Sequence, residues 1–353
     1  MLDILSRIVN LQSEAHAVAV ATLVDVRGSS AREPGATFAI SDNGELLGAI
    51  GGGCVEAALV DEAREVMHDR KTRSVSYGLS EREAGDVGLA CGGALTIFLD
   101  LPGPNYCAEV ARTCDELIAH AIRLDGEESG ARMAIYSDRR FGTLGGAGLD
   151  SAVARYAYDR PLGEAERVDI EGATVFIAPK RIAPHLYVFG ALDFAAATIE
   201  IAHTLGYVVT LCDARSAFAT KERFPKADRI VVAWPHEFLA AAPVDERTAI
   251  VSFAHDEKFE VPLLLAAVRS RAGYIGALGS RATHARRVEA LRQAGMTEVE
   301  LARICAPIGL DIGARTPEET ALAVLAEIVA VQRGRSGGSL SCGTGAIRGG
   351  VGG

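Results

Sequence analysis

The sequence predicts an α/β protein in two parts, and three observations carry that expectation. Residues 1–183 are dense in short β-branched segments and glycine-rich turns with helical stretches between them, the composition of a mixed α+β domain. Within that domain one strand–glycine turn–helix unit is written twice. Residues 184–333 instead alternate apolar strands with amphipathic helices, the pattern of a doubly wound parallel sheet. Residues 334–353, glycine- and serine-rich, are expected to form a flexible tail.

The first domain reads in order as follows. AVAVATLVDV (17–26) is a strand by its β-branched content, and GATFAI (35–40) and ELLGAI (45–50) flank the turn Ser41-Asp42-Asn43-Gly44. VEAALVDEAREVMHD (55–69) has the apolar spacing of a helix. TRSVSYG (72–78) and ALTIFLDL (94–101) are strands, and Tyr106–Leu124 is expected to be a helix carrying Cys107 and Cys114.

Residues 142–154, GTLGGAGLDSAVA, repeat residues 48–60, GAIGGGCVEAALV. Gly48, Gly51 and Gly52 fall on Gly142, Gly145 and Gly146, and Ile50 falls on Leu144. Cys54 falls on Gly148, so the turn itself does not require a thiol. The acid recurs, Glu56 over Asp150, which assigns it to backbone amides at the start of the helix. Cys54 is thereby singled out as specific to the first copy.

From His185 the chain is βαβ. LYVFG (186–190), YVVTLCD (207–213), RIVVAW (229–234), TAIVSFA (248–254) and GYIGALG (273–279) are strands. The helices include 191–206, closed by Gly206, and 261–271. The last helix opens on Thr316 as N-cap, Pro317 at N1 and Glu319 completing a capping box. This is a Rossmann-like arrangement, and it places ligands beyond the carboxyl ends of the strands.

Composition narrows the function classes. An apolar fraction of 49% with 23% charged residues is that of a soluble globular protein. No apolar run is long enough to span a bilayer, and MLDILSRIVNLQSE is unlike a secretory signal, so a cytoplasmic protein is expected. A net charge of −10 without a basic patch argues against a nucleic-acid partner. The seven cysteines are dispersed with no CxxC spacing, so neither a disulfide framework nor a zinc knuckle is signalled.

Four strand ends carry candidate ligand-binding residues. The first, FGALDFA (189–195), keeps Gly190 of a G-x-G-x-x-G/A turn but has Leu192 where the second glycine would admit pyrophosphate. At the second, Asp213 stands where a ribose hydroxyl would be held, or else it caps its loop and pairs with Arg215. The third brings His255 and Asp256 after a buried strand, and the fourth brings Gly279, Ser280 and Arg281 to a helix N-terminus, a plausible phosphate seat. The loop 306–319 either walls this site or packs beneath it. In the first domain the candidates are Gly52, Gly53 and Cys54, Cys91 beside Gly92 and Gly93, and the segment 27–30. Thiolates there suit a soft metal or sulfur transfer, whereas buried thiols beside tight turns can also be plain packing.

These segments resemble the XdhC/CoxI family, accessory proteins of xanthine dehydrogenase and related molybdenum hydroxylases. The shared stretches are VRGSSAREPGATFAIS…GELLGAIGGGCVE (26–56), GLACGG (88–93), VTLCDAR, RFPKAD, AHDEKF, YIGALGSRATHARR and PIGLDIGARTPEETALAVLAEI. The resemblance implies binding of molybdenum cofactor (molybdopterin), assistance in its sulfuration and its delivery to the apo-hydroxylase. It further implies that Cys54 faces the metal or dithiolene end. The chain departs from the family's GAGHVA turn, which here is GALDFA, and carries Ala254 where a threonine precedes the His-Asp pair.

The expectation is therefore a cofactor-binding chaperone rather than a turnover enzyme, holding its ligand in a cleft between domains. Its partners would be an apo molybdenum hydroxylase and a cysteine desulfurase, and it would form a homodimer. The rival is an NAD(P)-dependent oxidoreductase, which Leu192 disfavours. A metal-binding hydrolase using His255 and Asp256 has no ligand spacing to support it.

Overall fold

The computed structural model describes residues 1–28, 30–51, 53–78, 93–160, 164–180, 182–254 and 256–342, with Cys54 represented by its helical backbone alone. Contacts divide the chain into two compact units, Met1–Arg181 and Ile182–Gly343. Among the described residues no helix is long and apolar enough to cross a membrane. Residues 334–342 are exposed, and the rest of the expected tail lies outside the described residues.

In the first unit the repeat extends far beyond thirteen residues. One copy runs α1 (Leu5–Ser13), β1 (Val18–Arg27), β2 (Thr37–Ser41), β3 (Leu46–Gly48), α2 (Cys54–Asp69), β4 (Arg73–Tyr77) and β5 (Ala94–Asp100). The other runs α3 (Pro104–Arg112), β6 (Leu117–Arg123), β7 (Arg132–Tyr136), β8 (Arg140–Gly142), α4 (Ala147–Asp159), β9 (Glu166–Ile170) and β10 (Ala173–Pro179). The antiparallel strands pair in the orders β3-β2-β1-β5-β4 and β8-β7-β6-β10-β9, one topology used twice.

The helix expected over Tyr106–Leu124 is corrected by this structure. It ends at Arg112, where the Thr113 hydroxyl donates to the Glu109 carbonyl at 2.7 Å. LIAHAIR then forms β6, paired on both sides by β7 and β10. A strand buried on both faces shows no alternation, so its apolar run reads equally as helix.

Side-chain alternation gives each sheet two apolar faces. The outer face of the first sheet (Ala21, Leu23, Ile97, Leu99) packs on Val55, Leu59 and Val66 of α2. The outer face of the second (Ala121, Ile135, Val175, Ile177) packs on Val153 and Ala157 of α4. The inner faces meet through Val24 and Phe98 against Ile122 and Phe176. The unit is thus an α/β/β/α stack, with α1 and α3 joined to the inner core through Leu5, Ile8, Tyr106 and Val110.

The second unit contains β11 (His185–Phe189), α5 (Asp193–Thr204), β12 (Val208–Cys212), β13 (Arg229–Val231), α6 (Pro235–Ala241), β14 (Ala249–Ser252) and α7 (Glu257–Arg269). It continues with β15 (Tyr274–Ala277), α8 (Arg281–Gln293), α9 (Glu298–Leu301), β16 (Ile304–Cys305) and α10 (Pro317–Gln332). Its sheet is parallel throughout, in the order β13-β12-β11-β14-β15-β16, so the direction of winding reverses between β11 and β14. Ile199 of α5 with Val324 and Ile328 of α10 covers one face, and Leu264 of α7 with Leu291 of α8 covers the other. The capping box of α10 forms as expected: Thr316 Oγ1 accepts from Glu319 N, and Glu319 accepts from Thr316 N. The loop 306–319 packs beneath the sheet edge, with Ile308 in the core and Gly309 N donating to Glu327 of α10 at 2.9 Å.

Polar groups are sealed between the two sheets of the first unit. Arg132 of β7 donates to both oxygens of Asp100 of β5, at 2.8 and 2.7 Å, and both side chains are nearly inaccessible. His120 on β6 is 5% exposed, and its Nδ1 has no hydrogen-bond partner. Burial, then the nearby amino terminus and Arg132, lowers its pKa to about 3. His120 is therefore neutral in the folded protein while its unfolded form takes up a proton below about pH 6.5. Stability falls as pH drops through the window from 6.5 toward 3, by ~2 kcal/mol from this residue at about pH 5. Urea unfolding as a function of pH checks this: His120→Leu should lose less stability than wild type between about pH 7 and pH 5. Parallel profiles would refute the assignment.

Candidate functional site

In the first unit Gly53 and Cys54 stand at the turn from β3 into α2. The turn is shaped by Gly48, at φ +74°, where a Cβ would lie 2.4 Å from the Thr37 carbonyl oxygen. Gly142 repeats the constraint in the second copy, at φ +84° and 2.2 Å from the Arg132 carbonyl oxygen. Glu56 then closes the turn by accepting from Ile50 N (2.9 Å), Gly51 N (2.6 Å) and Gly53 N (2.8 Å). Burial raises its pKa, but these amide hydrogen bonds outweigh that and leave it lowered. Asp150 does the same work, accepting from Leu144 N at 2.7 Å and Thr143 Oγ1 at 2.8 Å. Cys54 is the first residue of α2, immediately after Gly53 at φ +97°. Gly52 and Cys91 lie outside the described residues, as does Ser29.

In the second unit the candidates line the carboxyl edge of the sheet. Gly190 ends β11 at φ +102°, and a Cβ there would sit 2.9 Å from Ala254 N, so the chain leaving β14 presses directly on this turn. Leu192 is the N-cap of α5 and packs toward the core, and Asp193 occupies its first position with an exposed side chain. An apolar cap followed by a carboxylate is a poor seat for pyrophosphate.

Asp213 is 4% exposed, and four donors occupy it. Ala191 N donates at 2.8 Å, Arg215 N at 2.9 Å, and the Arg215 guanidinium at 2.9 and 2.7 Å. Burial pushes its pKa up, but the Arg215 and backbone hydrogen bonds hold it below the ordinary value. The carboxylate thus ties the β11 turn to Arg215, whose guanidinium stacks over Phe218 with Cζ 4.5 Å from the ring centroid. Arg223 reaches the same turn, donating to the Ala191 carbonyl at 3.2 Å.

Asp256 caps α7, accepting from Lys258 N at 3.1 Å, and its charge is felt at Arg215. His255 lies outside the described residues. At the end of β15, Ser280 caps α8 by accepting from Thr283 N at 3.1 Å, and exposed Arg281 begins the helix. Gly279 admits Arg287, whose Nη2 would lie 3.2 Å from a Cβ at that position. Arg287 is buried and donates through Nη2 to Glu260 (2.9 Å) and the Leu278 carbonyl (2.5 Å). Its Nε and Nη1 have no partner, and neither has the buried Ser252 Oγ at the end of β14.

The structure therefore brings Gly190, Asp213, Arg215 and Asp256 together across the switch in strand order, with Gly279, Ser280 and Arg281 one strand beyond β14. Arg223, Arg287, Ser252 and Trp234 were not signalled as site residues by the sequence; Ser252 and Trp234 stand at or just after a strand end, whereas Arg223 and Arg287 reach back to strand-end carbonyls from further along the chain. An open groove of about 400 Å³, lined by Leu239, Val244, Ala266 and Arg269, lies at the opposite end of α7 from Asp256. Among the described residues no three His, Cys, Asp or Glu side chains gather as metal ligands.

Known proteins share this organisation. The family described as "XdhC and CoxI family" matches residues 11–78, and "XdhC Rossmann domain" matches residues 186–328. The chain belongs to the XdhC/CoxI family. It is 29% identical over 88% of its length to 82% of the "Molybdenum cofactor insertion chaperone PaoD" of Escherichia coli (strain K12). It is 26% identical over 92% of its length to 95% of a probable xanthine dehydrogenase subunit of Bacillus subtilis (strain 168). A crystal structure described as a xanthine dehydrogenase from Bacillus halodurans shares the fold, at TM-score 0.71 and 24% identity over 95% of this chain and 96% of that one.

The anchoring role of Glu56 has a direct check. Glu56→Ala leaves three amides without their acceptor and should destabilise the protein by ~1–3 kcal/mol, read by urea or thermal unfolding. An unchanged midpoint would show that the turn holds without its carboxylate.

Proposed function

We propose that this chain is a molybdenum cofactor chaperone. It binds the cofactor, holds it while a cysteine desulfurase supplies sulfur, and delivers it to an apo molybdenum hydroxylase of the xanthine dehydrogenase type. One observation carries the reading: the similarity to a relative named for cofactor insertion runs through 88% of the chain, covering both units. The geometry of the α5 turn supports binding and delivery over nicotinamide chemistry, since Leu192 and Asp193 stand where a dinucleotide needs open backbone amides.

The donor set fits such a ligand. Molybdenum cofactor when bound would supply a metal held by the dithiolene of molybdopterin, a pterin ring and a phosphate. The α8 entrance offers amides, the Ser280 cap and Arg281 for the phosphate, above the unpartnered N–H groups of Arg287. Gly190, Asp213, Arg215 and Asp256 shape the neighbouring edge, where Asp213 orients Arg215. For the first unit, taken by itself, the proposal names Cys54, the first residue of the 16-residue α2, as the residue that binds the metal or dithiolene end. Gly53 gives its turn the backbone geometry this entry needs.

Anaerobic incubation with molybdenum cofactor, followed by desalting and pterin fluorescence, tests the proposal. Wild type should retain the cofactor near one equivalent, and Cys54→Ala should release it at least ~10-fold more readily. Retention by Cys54→Ala equal to wild type removes that residue from the proposal. Absence of retention by wild type, with saturable NAD(P) binding and turnover, would replace the chaperone with an oxidoreductase.

A further inference from the structure

Trp234 is the single tryptophan of the chain, and 43% of it is exposed. It is the N-cap of α6, delivered by β13 to the same carboxyl edge as Asp213 and Asp256. Its indole is held in place, tilted against Phe259 at 5.0 Å and edge-on to His236 at 6.1 Å between ring centroids. Lys258 Nζ lies 4.7 Å from the centroid of that same Phe259 ring and 2.8 Å from Asp256 Oδ2. The Asp256 and Lys258 side chains are 51% and 60% exposed, so both reach solvent beside the aromatic pair. Val232, 51% exposed, extends the apolar surface at the end of β13.

We propose that Trp234, Asp256 and Lys258 form a subsite for a planar 2-amino-4-oxo heterocycle, the ring chemistry shared by pterins and guanine. The indole face supplies stacking. The edge of such a ring sets N–H donors beside a carbonyl oxygen. Asp256 accepts from the donors, and Lys258 donates to the oxygen. An adenine ring turns its amino group toward Lys258 and leaves Asp256 without its donor pair, so the subsite selects between purines. Asp213 cannot take this role, because it is buried and each of its oxygens already accepts from two protein donors, whereas each oxygen of the half-exposed Asp256 accepts from one, Lys258 N or Lys258 Nζ. The inference rests on the chaperone reading only for the source of the ring, cofactor or guanine nucleotide.

The fluorescence of the single indole reports the test directly. GMP and pterin-6-carboxylate should each quench it saturably, and AMP should bind at least ~10-fold more weakly. Asp256→Asn and Lys258→Gln, both at exposed positions, should weaken GMP and narrow its advantage over AMP. Trp234→Leu, followed by equilibrium dialysis, should bind GMP at least ~10-fold more weakly than wild type. Equal response to GMP and AMP, or an unaltered preference in Asp256→Asn, would overturn the subsite. Molybdenum cofactor retention measured on the same samples separates the two proposals. Retention with no quenching by GMP or the pterin sinks the subsite and leaves the chaperone standing. Quenching by both with no molybdenum cofactor retained supports the subsite and sinks the chaperone.

Discussion

Both units depend on one interaction, a carboxylate accepting backbone N–H groups where a strand gives way to a turn or helix. Glu56 and Asp150 do this in the two copies of the first unit. Asp213 holds the turn after β11 through Ala191, and Asp228 holds the start of β12 through Val209. Glu319 and Glu300 close capping boxes, and Glu327 pins the loop after β16. Helix N-termini and tight turns leave amides without intrahelical partners, and an acid meets that need with charge of the favourable sign. The charge of these carboxylates is therefore structural and internally directed.

That economy separates scaffold from chemistry. Acids at strand ends commonly serve binding or catalysis, yet Asp213 and Glu56 have their oxygens filled by the protein itself. The groups left with capacity are of another kind: the Arg287 N–H groups, the Ser252 hydroxyl, and the exposed pair Asp256 and Lys258 beside Trp234. A ligand meeting the second unit would find arginines positioned by carboxylates behind them and an aromatic face held by Phe259 and His236.

Much of this was legible in the sequence, and the exceptions have physical causes. The parallel sheet followed from apolar strands alternating with capped helices, and Thr316, Pro317 and Glu319 announced α10 outright. The equivalence of Glu56 and Asp150 followed from lining up two glycine turns. What escaped was β6, because a strand buried on both faces carries no period, and with it the true extent of the duplication. The copies share strand order and register but little side-chain identity outside the turn, since an antiparallel sheet constrains which face is apolar far more than which apolar residue fills it. Trp234 escaped for a different reason. Its importance lies in contacts with Phe259 and His236, and only folding brings α7 alongside α6.

The two copies bury their inner faces against each other, and Asp100 of one clasps Arg132 of the other across that seam. A lone copy would expose an apolar sheet face and half of an ion pair. It would be compelled to find a twin, so the first unit is in effect a dimer whose halves share one polypeptide. Tethering makes the pairing independent of protein concentration. It also frees the halves from identity: a symmetric dimer would carry any new side chain twice, whereas here a cysteine at position 54 faces no obligation to appear at 148. Asymmetry of that kind lets one half keep the architecture while the other acquires a reactive group.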